Sequence, residues 1–293
     1  MAVQLTAQER SVLQKARDYS MKYWDPHTEE WETSYGAFPG DAIKHMSEHG
    51  YYGMGIAKEL GGSGYSWLES ALAYEGLAYG DAGMVCYLLL LNNVTYGLVN
   101  YCEHSDEVKQ FLPDLISGKK TIAFALTEAH SGSDVARNQC TATLKEDGYH
   151  IDGEKVWILN TKHADHIVVT TWDKSTEKMI MLLVDKGTPG MIVGDNIPWM
   201  GCNVMYLSSL TFQDCVVPVQ RVVSRDAFKT SLRFIDIPRV FVPAACIGLA
   251  QRALDLTAEY LADRYAFGKS MLENQWIQFK MAEYTASLEA GRW

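Results

Sequence analysis

The sequence lacks the features that mark several large classes of protein. Its formal net charge is -10, and because nucleic-acid surfaces need clustered lysine and arginine, we expect no nucleic-acid partner. Its six cysteines form no CxxC pair and its eight histidines no HExxH motif, so we predict no disulfide framework and no metal site. The most apolar stretch, Met84 to Leu91, is far shorter than the ~20 residues of a membrane span. With no secretory signal predicted at the N-terminus, we expect a cytoplasmic protein whose cysteines stay reduced.

The residues that are present divide the chain into a helical, a β-rich and a second helical segment. Thr6 and Glu9 make a capping-box pattern ahead of apolar residues at helical spacing. Short β-rich runs with Gly- and Pro-containing turns follow, which is typical of a small barrel or sandwich. We therefore predict a helical domain over 1–120, a β domain over 121–229 and a partial helical domain over 230–293. The apolar stripe from Ile277 to Leu288 needs a further segment or a partner chain to cover it.

The segment with the strongest chemical signature is Phe124 to Ala136, FALTEAHSGSDVA. A β-rich run ends there in a turn rich in Gly and Ser. Such a turn exposes backbone N–H groups and short hydroxyls, which suit the edge of a flavin ring and a pyrophosphate. Taken alone, the same pattern also fits an ordinary Gly/Ser hairpin.

Three further motifs follow in order along the chain. Gly153 to Asn160 reads GEKVWILN, Leu210 to Pro218 reads LTFQDCVVP, and Arg264 to Gly268 reads RYAFG, ahead of Gln275. Together with the first segment, they resemble the signatures of the acyl-CoA dehydrogenases over essentially the whole chain. The resemblance implies an α+β fold like that of this family: an N-terminal helical domain, a middle β-barrel domain and the start of a C-terminal helical bundle.

The resemblance also implies FAD as the cofactor and gives roles to individual residues. Thr127 is expected to hydrogen-bond the pyrimidine end of the flavin, and Trp157 to flank the isoalloxazine. Arg264 is expected to reach the FAD pyrophosphate of a neighbouring subunit, which a guanidinium fork suits, while Asn274 and Gln275 contact the adenosine half. The expected FAD-binding residues are Phe124, Leu126, Thr127, Gly132, Ser133, Trp157, Ile158, Leu159, Arg264, Ala266, Phe267, Asn274 and Gln275. The expected substrate-binding residues are Ser133, Asp236 and Arg239.

Several positions depart from the pattern of the family. Leu159 stands where relatives usually have a threonine that hydrogen-bonds flavin N5. His130 replaces a glycine of the flavin loop, and we interpret it as a loop residue in preference to an acid or base. For Arg239, a structural ion pair or helix cap is as good an interpretation as substrate binding.

No catalytic base can be assigned within the sequence. The resemblance implies α,β-dehydrogenation of a thioester, in which a carboxylate removes the α proton while the β hydride passes to the flavin. In most relatives that carboxylate lies on a C-terminal loop, so we expect the base beyond Trp293. A minority carry it just before the arginine equivalent to Arg239, where this chain has Pro238. Asp236, the nearest carboxylate, matches a binding position.

The leading hypothesis is FAD-dependent dehydrogenation of an acyl-CoA or acyl-carrier-protein thioester by a truncated chain or one half of a split enzyme. Electrons are expected to pass to an electron-transfer flavoprotein. The assembly is expected to be a homodimer or homotetramer, or a hetero-oligomer with a complementary chain. Two alternatives stay open: a non-catalytic subunit that pairs with a complete partner, and a flavin oxidase or monooxygenase of the same fold.

Overall fold

The computed structural model describes residues 4–36 and 39–293. The chain folds into two compact units, each made from segments that are distant in the sequence. The first unit contains Met1–Glu29, Trp67–Cys86 and Val240–Trp293, and the second contains Glu30–Ser66 and Tyr87–Arg239. The three domains predicted from the sequence, with borders at 120 and 229, group the residues differently and stay a prediction.

Helices come first along the chain, then strands, then helices again. The helices are α1 (Ala7–Tyr23), α2 (Thr28–Thr33), α3 (Ala42–Glu48), α4 (Trp67–Ala78), α5 (Ala82–Tyr101), α6 (Asp106–Ile116), α7 (Ala227–Asp236), α8 (Pro238–Asp263) and α9 (Gln275–Arg292). The strands are β1 (Ile122–Ala125), β2 (Thr141–Lys145), β3 (Gly148–Leu159), β4 (His166–Asp173), β5 (Lys178–Asp185), β6 (Met191–Val193), β7 (Leu207–Val217), β8 (Val222–Ser224), β9 (Tyr265–Ala266) and β10 (Lys269–Ser270). Short 3₁₀ turns span Asp25–His27, Lys58–Leu60, Val135–Arg137, Val219–Arg221 and Met271–Glu273. The capping box predicted at Thr6 and Glu9 is present and opens α1.

In the first unit, glycines let three helices approach backbone to backbone. A Cβ atom at Gly248 of α8 would clash with the carbonyl oxygen of Glu75 in α4, and one at Gly76 of α4 would lie 2.5 Å from the carbonyl oxygen of Leu13 in α1. An ion pair of 2.9 Å between Arg292 Nε and Glu75 Oε1 joins α9 to α4. The close packing of α4 between its neighbours therefore depends on residues without side chains.

The outer face of α8 and α9 carries large apolar side chains that no described residue covers. Leu249, Leu256 and Tyr260 on α8 and Tyr284 on α9 are all exposed, and the helical spacing of the three α8 residues gives that helix an apolar stripe of its own. Leu288, on the same predicted stripe as Tyr284, is buried. The apolar stripes of α8 and α9 are thus only partly buried within this unit.

Within the described residues one helix, α5, is long and apolar enough to cross a membrane by length and composition. Some 67% of its apolar window is buried inside the protein. Such burial is typical of the core helix of a globular protein.

The second unit is built around one eight-stranded sheet. Its hydrogen-bonded path runs β6-β7-β3-β2-β4-β5-β8, and β1 pairs in parallel with β4. On one face, Val169 of β4 and Leu182 of β5 share a core with Ile151 of β3 and Phe212 of β7. Because the two halves of the sheet share one core, the sheet curls over itself, as the predicted middle β domain requires.

The opposite face of the sheet packs against α5, α6 and α7. Phe124 of β1 and Val168 of β4 lie in this second core with Phe234 of α7, and the ring centroids of Phe124 and Phe234 are 5.2 Å apart. A Cβ atom at Gly97 of α5 would lie 2.5 Å from the Phe234 ring, so α5 needs a glycine there. The short strand β1 is therefore fixed from both faces.

The dipeptide Asp152-Gly153 has the composition of a turn, and a turn predicted there from the sequence is wrong. Both residues lie inside β3, where the register with β7 shifts between Ile151 and Gly153. Gly153 has φ +140°, and a Cβ atom there would lie 2.8 Å from Cys140 Cα. The glycine serves a close approach of β2 to β3 and not a chain reversal.

Candidate functional site

The candidate site begins where β1 ends. The carbonyl of Thr127 accepts a hydrogen bond of 2.9 Å from the backbone N–H of Val156 in β3, and the carbonyl of Leu126 accepts one of 3.1 Å from Lys155 Nζ. The C=O and N–H of a planar trans peptide point in opposite directions, so the N–H of Thr127 points away from Lys155. Neither this N–H nor the Thr127 hydroxyl has a partner among the described residues.

The loop after Thr127 is closed at its base by Glu128. Glu128 and Ser131 exchange backbone hydrogen bonds of 3.0 Å in both directions. The Glu128 carboxylate also accepts from the N–H groups of Gln139, at 2.6 Å, and Cys140, at 3.0 Å. One buried carboxylate thus ties the start of the loop to the start of β2.

The tip of this loop is open. Gly132 and Ser133 are exposed, and their backbone N–H groups have no partner in the part of the chain that the structure describes. A Cβ atom at Gly132 would meet no described atom within 4 Å. Consecutive N–H groups beside open space are donors of the kind that can bind a phosphate or pyrophosphate.

Trp157 is turned outward by a bulge in β3. The pairing with β7 shifts between Lys155 and Ile158, so that Val156 and Trp157 together oppose the single residue Ser209. Trp157 has φ +60°, a left-handed conformation that bulky residues rarely adopt, and it is 59% exposed. Strain of this kind is concentrated at functional sites. The bulge therefore presents a flat ring one residue away from the Val156 N–H that holds Thr127.

A buried lysine lies behind these groups. Lys155 is completely buried, and its ammonium, which has three N–H groups, lies within hydrogen-bond distance of four acceptors among the described residues. The acceptors are Leu126 O at 3.1 Å, Glu128 Oε1 at 2.7 Å, Asn138 Oδ1 at 2.5 Å and Thr170 Oγ1 at 3.1 Å. Burial lowers the pKa of Lys155, and the nearby Cys140 and Glu128 oppose that shift. The sequence alone gives no role to Lys155 or Glu128, although both stand inside the two motifs that carry the flavin residues.

The other FAD-binding residues predicted in this region differ in how far their side chains are available. Leu126 and Ile158 are buried, and Ile158 belongs to the inner core of the sheet. Phe124 packs on Phe234. Leu159 is half-buried. The described site is thus built mainly from backbone groups, with Thr127, Ser133 and Trp157 as its most available side chains.

The remaining predicted FAD-binding residues form a separate cluster in the first unit, around the β9–β10 hairpin. Phe267 and Gly268, with φ of +53° and +80°, make its two-residue turn, the conformation of a type I′ hairpin. Arg264 is exposed directly after α8. Asn274 caps α9 with its side-chain oxygen, and Gln275, the first residue of α9, is exposed. The cluster presents a guanidinium and two amides within a short stretch of chain.

The two substrate-binding candidates contact each other. Arg239 Nη1 lies 3.0 Å from Asp236 Oδ1, and both side chains are largely exposed. The ion pair that the sequence left as an alternative for Arg239 is therefore present. Pairs this exposed contribute roughly 0–1 kcal/mol, so the guanidinium can exchange Asp236 for another anion at little cost. Pro238 is the first residue of α8, a position that favours proline.

Glu128 is not placed to act as a base, because its partners are strong and buried. Both Glu128 oxygens are engaged by Lys155 and by backbone N–H groups, and Asp236 is paired with Arg239. His130 Nε2 lies 3.4 Å from Glu128 Oε2 and 3.2 Å from the carbonyl oxygen of Arg137. The interpretation of His130 as a loop residue stays a prediction.

A cleft of about 510 Å³ opens beside the loop and was not foreseen from the sequence. Lys178 and Arg225 line it together with the rings of Trp172 and Phe228, and Ala136 of the loop forms part of its wall. Two acidic residues also line it. Cations and aromatic faces side by side suit the phosphates and the purine of a nucleotide.

Comparison with known proteins gives a consistent picture. Residues 6–119, 123–215 and 228–293 match the family models described as acyl-CoA dehydrogenase N-terminal, middle and C-terminal domains. The acryloyl-CoA reductase (NADH) of Anaerotignum propionicum is 32% identical over 300 residues, which cover 100% of this chain and 75% of the relative. The solved butyryl-CoA dehydrogenase of Megasphaera elsdenii matches with a TM-score of 0.91 and 30% identity, over 99% of this chain and 78% of that one. A structure described as the electron transferring flavoprotein of Acidaminococcus fermentans matches with a TM-score of 0.92 and 30% identity, over 99% and 77%.

Proposed function

Because the chain belongs to the acyl-CoA dehydrogenase family of FAD-dependent oxidoreductases, we propose that it provides the flavin side of an acyl-thioester α,β-dehydrogenation. The observation that carries the proposal is a group of four residues, Thr127, Gly132, Ser133 and Trp157, which we call the flavin edge. These residues lie just after β1, in the loop that Glu128 closes, and on β3.

The flavin edge fits FAD group by group. The N–H and hydroxyl of Thr127 suit the acceptor atoms at the pyrimidine end of the flavin. The N–H groups of Gly132 and Ser133 suit the pyrophosphate, and the exposed face of Trp157 suits the flat isoalloxazine. FAD, when bound, supplies the two-electron acceptor that takes the β hydride. The protein binds and orients the cofactor and, through Trp157, keeps water from one side of it.

The proton-abstracting carboxylate is the part that the described residues do not supply. Pro238 cannot act as a base, Glu128 is fully engaged, and Asp236 stands at a position that the family resemblance assigns to substrate binding. We infer that the carboxylate comes from a segment or chain outside these 293 residues. This completes the reaction without asking any engaged carboxylate to leave its partners.

We assign the cleft beside Ala136 to the nucleotide end of the thioester carrier. Lys178 and Arg225 can face phosphates while Trp172 and Phe228 face the purine. Ser133, three residues before Ala136, then stands between cofactor and carrier, which agrees with the double role expected for it. Acyl-CoA is favoured over acyl-carrier protein because a carrier protein brings no nucleotide to this cleft.

The proposal also includes an electron acceptor, an oligomeric assembly and a cellular location. The likeness to the Acidaminococcus fermentans structure supports an electron-transfer flavoprotein as the electron acceptor. The uncovered apolar side chains on α8 and α9 support an oligomer or a complementary chain. Six free cysteines, two of them buried, support a cytoplasmic location.

The proposal is tested by adding FAD to the purified chain and recording its spectrum. We expect a bound-flavin band at about 450 nm, which slowly bleaches or does not bleach when butyryl-CoA is added anaerobically. Bleaching should become fast when a carboxylate-bearing complementary chain is added. The same assay with an acyl-carrier-protein thioester compares the two carriers.

Each contrary result identifies a different failure. A chain that stays colourless with added FAD would overturn the flavin assignment and favour a non-catalytic subunit. Fast bleaching by butyryl-CoA without a second chain would show that the base lies among the 293 residues. Preference for the carrier-protein thioester would overturn the cleft assignment, and steady aerobic peroxide production without an electron-transfer flavoprotein would favour an oxidase.

A further inference from the structure

We propose that Lys155 is a positioning residue of the flavin site, whose ammonium fixes the peptide between Leu126 and Thr127 so that the Thr127 N–H faces the cofactor. This inference rests on the proposed function, because it takes Thr127 to be a flavin contact. Lys155 itself is buried and touches no part of the flavin edge through its ammonium.

The peptide that joins Leu126 to Thr127 has two possible orientations, and Lys155 selects one. In the observed orientation the Leu126 carbonyl turns inward and accepts hydrogen bonds from Lys155 Nζ and from Asn138 Nδ2, each 3.1 Å long. The reverse orientation would turn the Thr127 N–H toward two other donors, Lys155 Nζ and Asn138 Nδ2, and would leave the Leu126 carbonyl facing the cofactor. A positive charge at this place therefore sets the direction of the donor that the flavin meets.

Lys155 also orients Asn138, which is the second donor to the Leu126 carbonyl. Asn138 Oδ1 accepts from Lys155 Nζ at 2.5 Å, so the other end of the amide, Nδ2, is directed at Leu126. Replacing the ammonium removes one donor to this carbonyl and frees the amide that carries the other. The effect on the peptide is thus larger than the loss of a single hydrogen bond.

The same ammonium is coupled to the pyrophosphate end of the site through Glu128. Lys155 Nζ lies 2.7 Å from Glu128 Oε1, and Glu128 holds the N–H groups of Gln139 and Cys140. The base of the loop that carries Gly132 and Ser133 is therefore fixed relative to Leu126 by one ion pair. The two ends of the flavin edge share a single buried support.

Stability alone does not explain why Lys155 and Glu128 form a buried ion pair. Burying two charges costs desolvation free energy, and replacing a buried ion pair by apolar residues is often neutral or stabilising. Lys155 and Glu128 are 0% and 3% exposed, so they bear that cost in full. A directional role, in which a charge aims specific backbone groups, explains why an ion pair is present in this position.

The test compares Lys155→Met with a matched control, Arg221→Met. Arg221 is a second buried cation in the same unit, with Glu107 and Asp185 each at 2.7 Å. We expect both substitutions to lower the melting temperature of the apoprotein. Only Lys155→Met should weaken FAD binding, by about tenfold, as for the loss of one well-aimed hydrogen bond. It should also change the visible spectrum and lower the midpoint potential of any flavin that still binds.

Two further variants keep the test decisive if Lys155→Met does not fold. Glu128→Gln keeps the Lys155 bond to Leu126 and should give an intermediate FAD affinity with a nearly unchanged spectrum. The double variant Lys155→Met/Glu128→Gln leaves no buried charge unpaired and should still bind FAD weakly. The inference is overturned if Lys155→Met or the double variant binds FAD within about twofold of Arg221→Met. If the unmodified chain binds no FAD, both the proposed function and this inference are wrong. If the unmodified chain binds FAD and the Lys155 variants bind it equally well, only this inference is wrong.

Discussion

Trp157 offers a prediction in which stability and cofactor binding change in opposite directions. It is a bulky residue at φ +60° in a strand bulge, and more than half of its surface is exposed. Trp157→Gly removes the ring but relieves the backbone strain, whereas Trp157→Ala removes the ring and keeps the strain. We therefore expect the glycine variant to be the more stable of the two, and both to bind FAD poorly.

The magnitudes follow from the exposure and the backbone angle. A left-handed conformation costs a residue other than glycine roughly 1–2 kcal/mol. Full burial of a large apolar side chain contributes about 1.5–3 kcal/mol, and Trp157 realises less than half of that. Strain relief and lost packing then nearly cancel in Trp157→Gly, which should unfold within about 1 kcal/mol, or 2–4 °C, of the unmodified chain. Trp157→Ala should lie roughly 1–2 kcal/mol below Trp157→Gly.

The assay has two parts, thermal unfolding of the apoproteins and FAD titration by quenching of flavin fluorescence. Loss of the ring removes an aromatic stack of about 0.5–1.5 kcal/mol together with its buried area, so the FAD dissociation constant should rise about tenfold in both variants. Trp157→Phe should retain most of the affinity. Trp24→Ala serves as the stability control, since Trp24 is 2% exposed and its loss should cost about 3–5 kcal/mol. A glycine variant less stable than the alanine variant would contradict the backbone strain at Trp157. Unchanged FAD binding in both variants would contradict the contact between Trp157 and the flavin.

Three further predictions concern the flavin, the substrate and the pH dependence of stability. Leu159→Thr places a hydroxyl where relatives use one toward flavin N5, so the midpoint potential should change, and an unchanged potential counts against this placement. Arg239→Ala should alter the unfolding free energy by less than about 1 kcal/mol while raising the dissociation constant for acyl-CoA. An unchanged affinity for acyl-CoA would show that Arg239 only forms an ion pair with Asp236 and does not bind substrate. His150 donates to Asp147 and Asp214 at 2.8 and 2.6 Å, contacts that raise the pKa of His150 and lower the pKa of both carboxyls. The stability that protonated His150 contributes is lost as pH rises through its raised pKa, and the stability that the two carboxylates contribute is lost as pH falls through their lowered pKa values. The loss of unfolding free energy in His150→Asn should therefore be greatest at about pH 4–6.5 and absent in alkali. A loss that does not change with pH would contradict this prediction.

The sequence predicts the flavin edge because its residues lie inside short motifs. Thr127 ends a β-rich run, Gly132 and Ser133 follow in a turn, and Trp157 stands in a strand motif. What the sequence does not give is the direction of each side chain. Strict alternation would place Lys155 and Trp157 on one face of β3, but the bulge buries the first and exposes the second.

Long-range pairing is the second limit of the sequence. Lys155 and Glu128 are 27 residues apart, and nothing local to either predicts that one ammonium and one carboxylate meet in the interior. A glycine after an aspartate is equally ambiguous. Asp152 and Gly153 have the composition of a turn, and only the register with β2 and β7 shows that Gly153 allows a close backbone approach instead.

The two halves of the proposed reaction make different demands on a fold. The contacts that orient the flavin edge come from Leu126, from β3 with its bulge against β7, and from the loop between Thr127 and Cys140. Removal of the α proton requires a carboxylate on the other side of the substrate, and it has to be free of strong partners to accept that proton. Glu128 has strong partners in Lys155 and two backbone N–H groups, so recruiting it as the base would dismantle the flavin edge itself. Under our proposal, the segment or chain that supplies the base therefore has to bring a carboxylate free of strong partners.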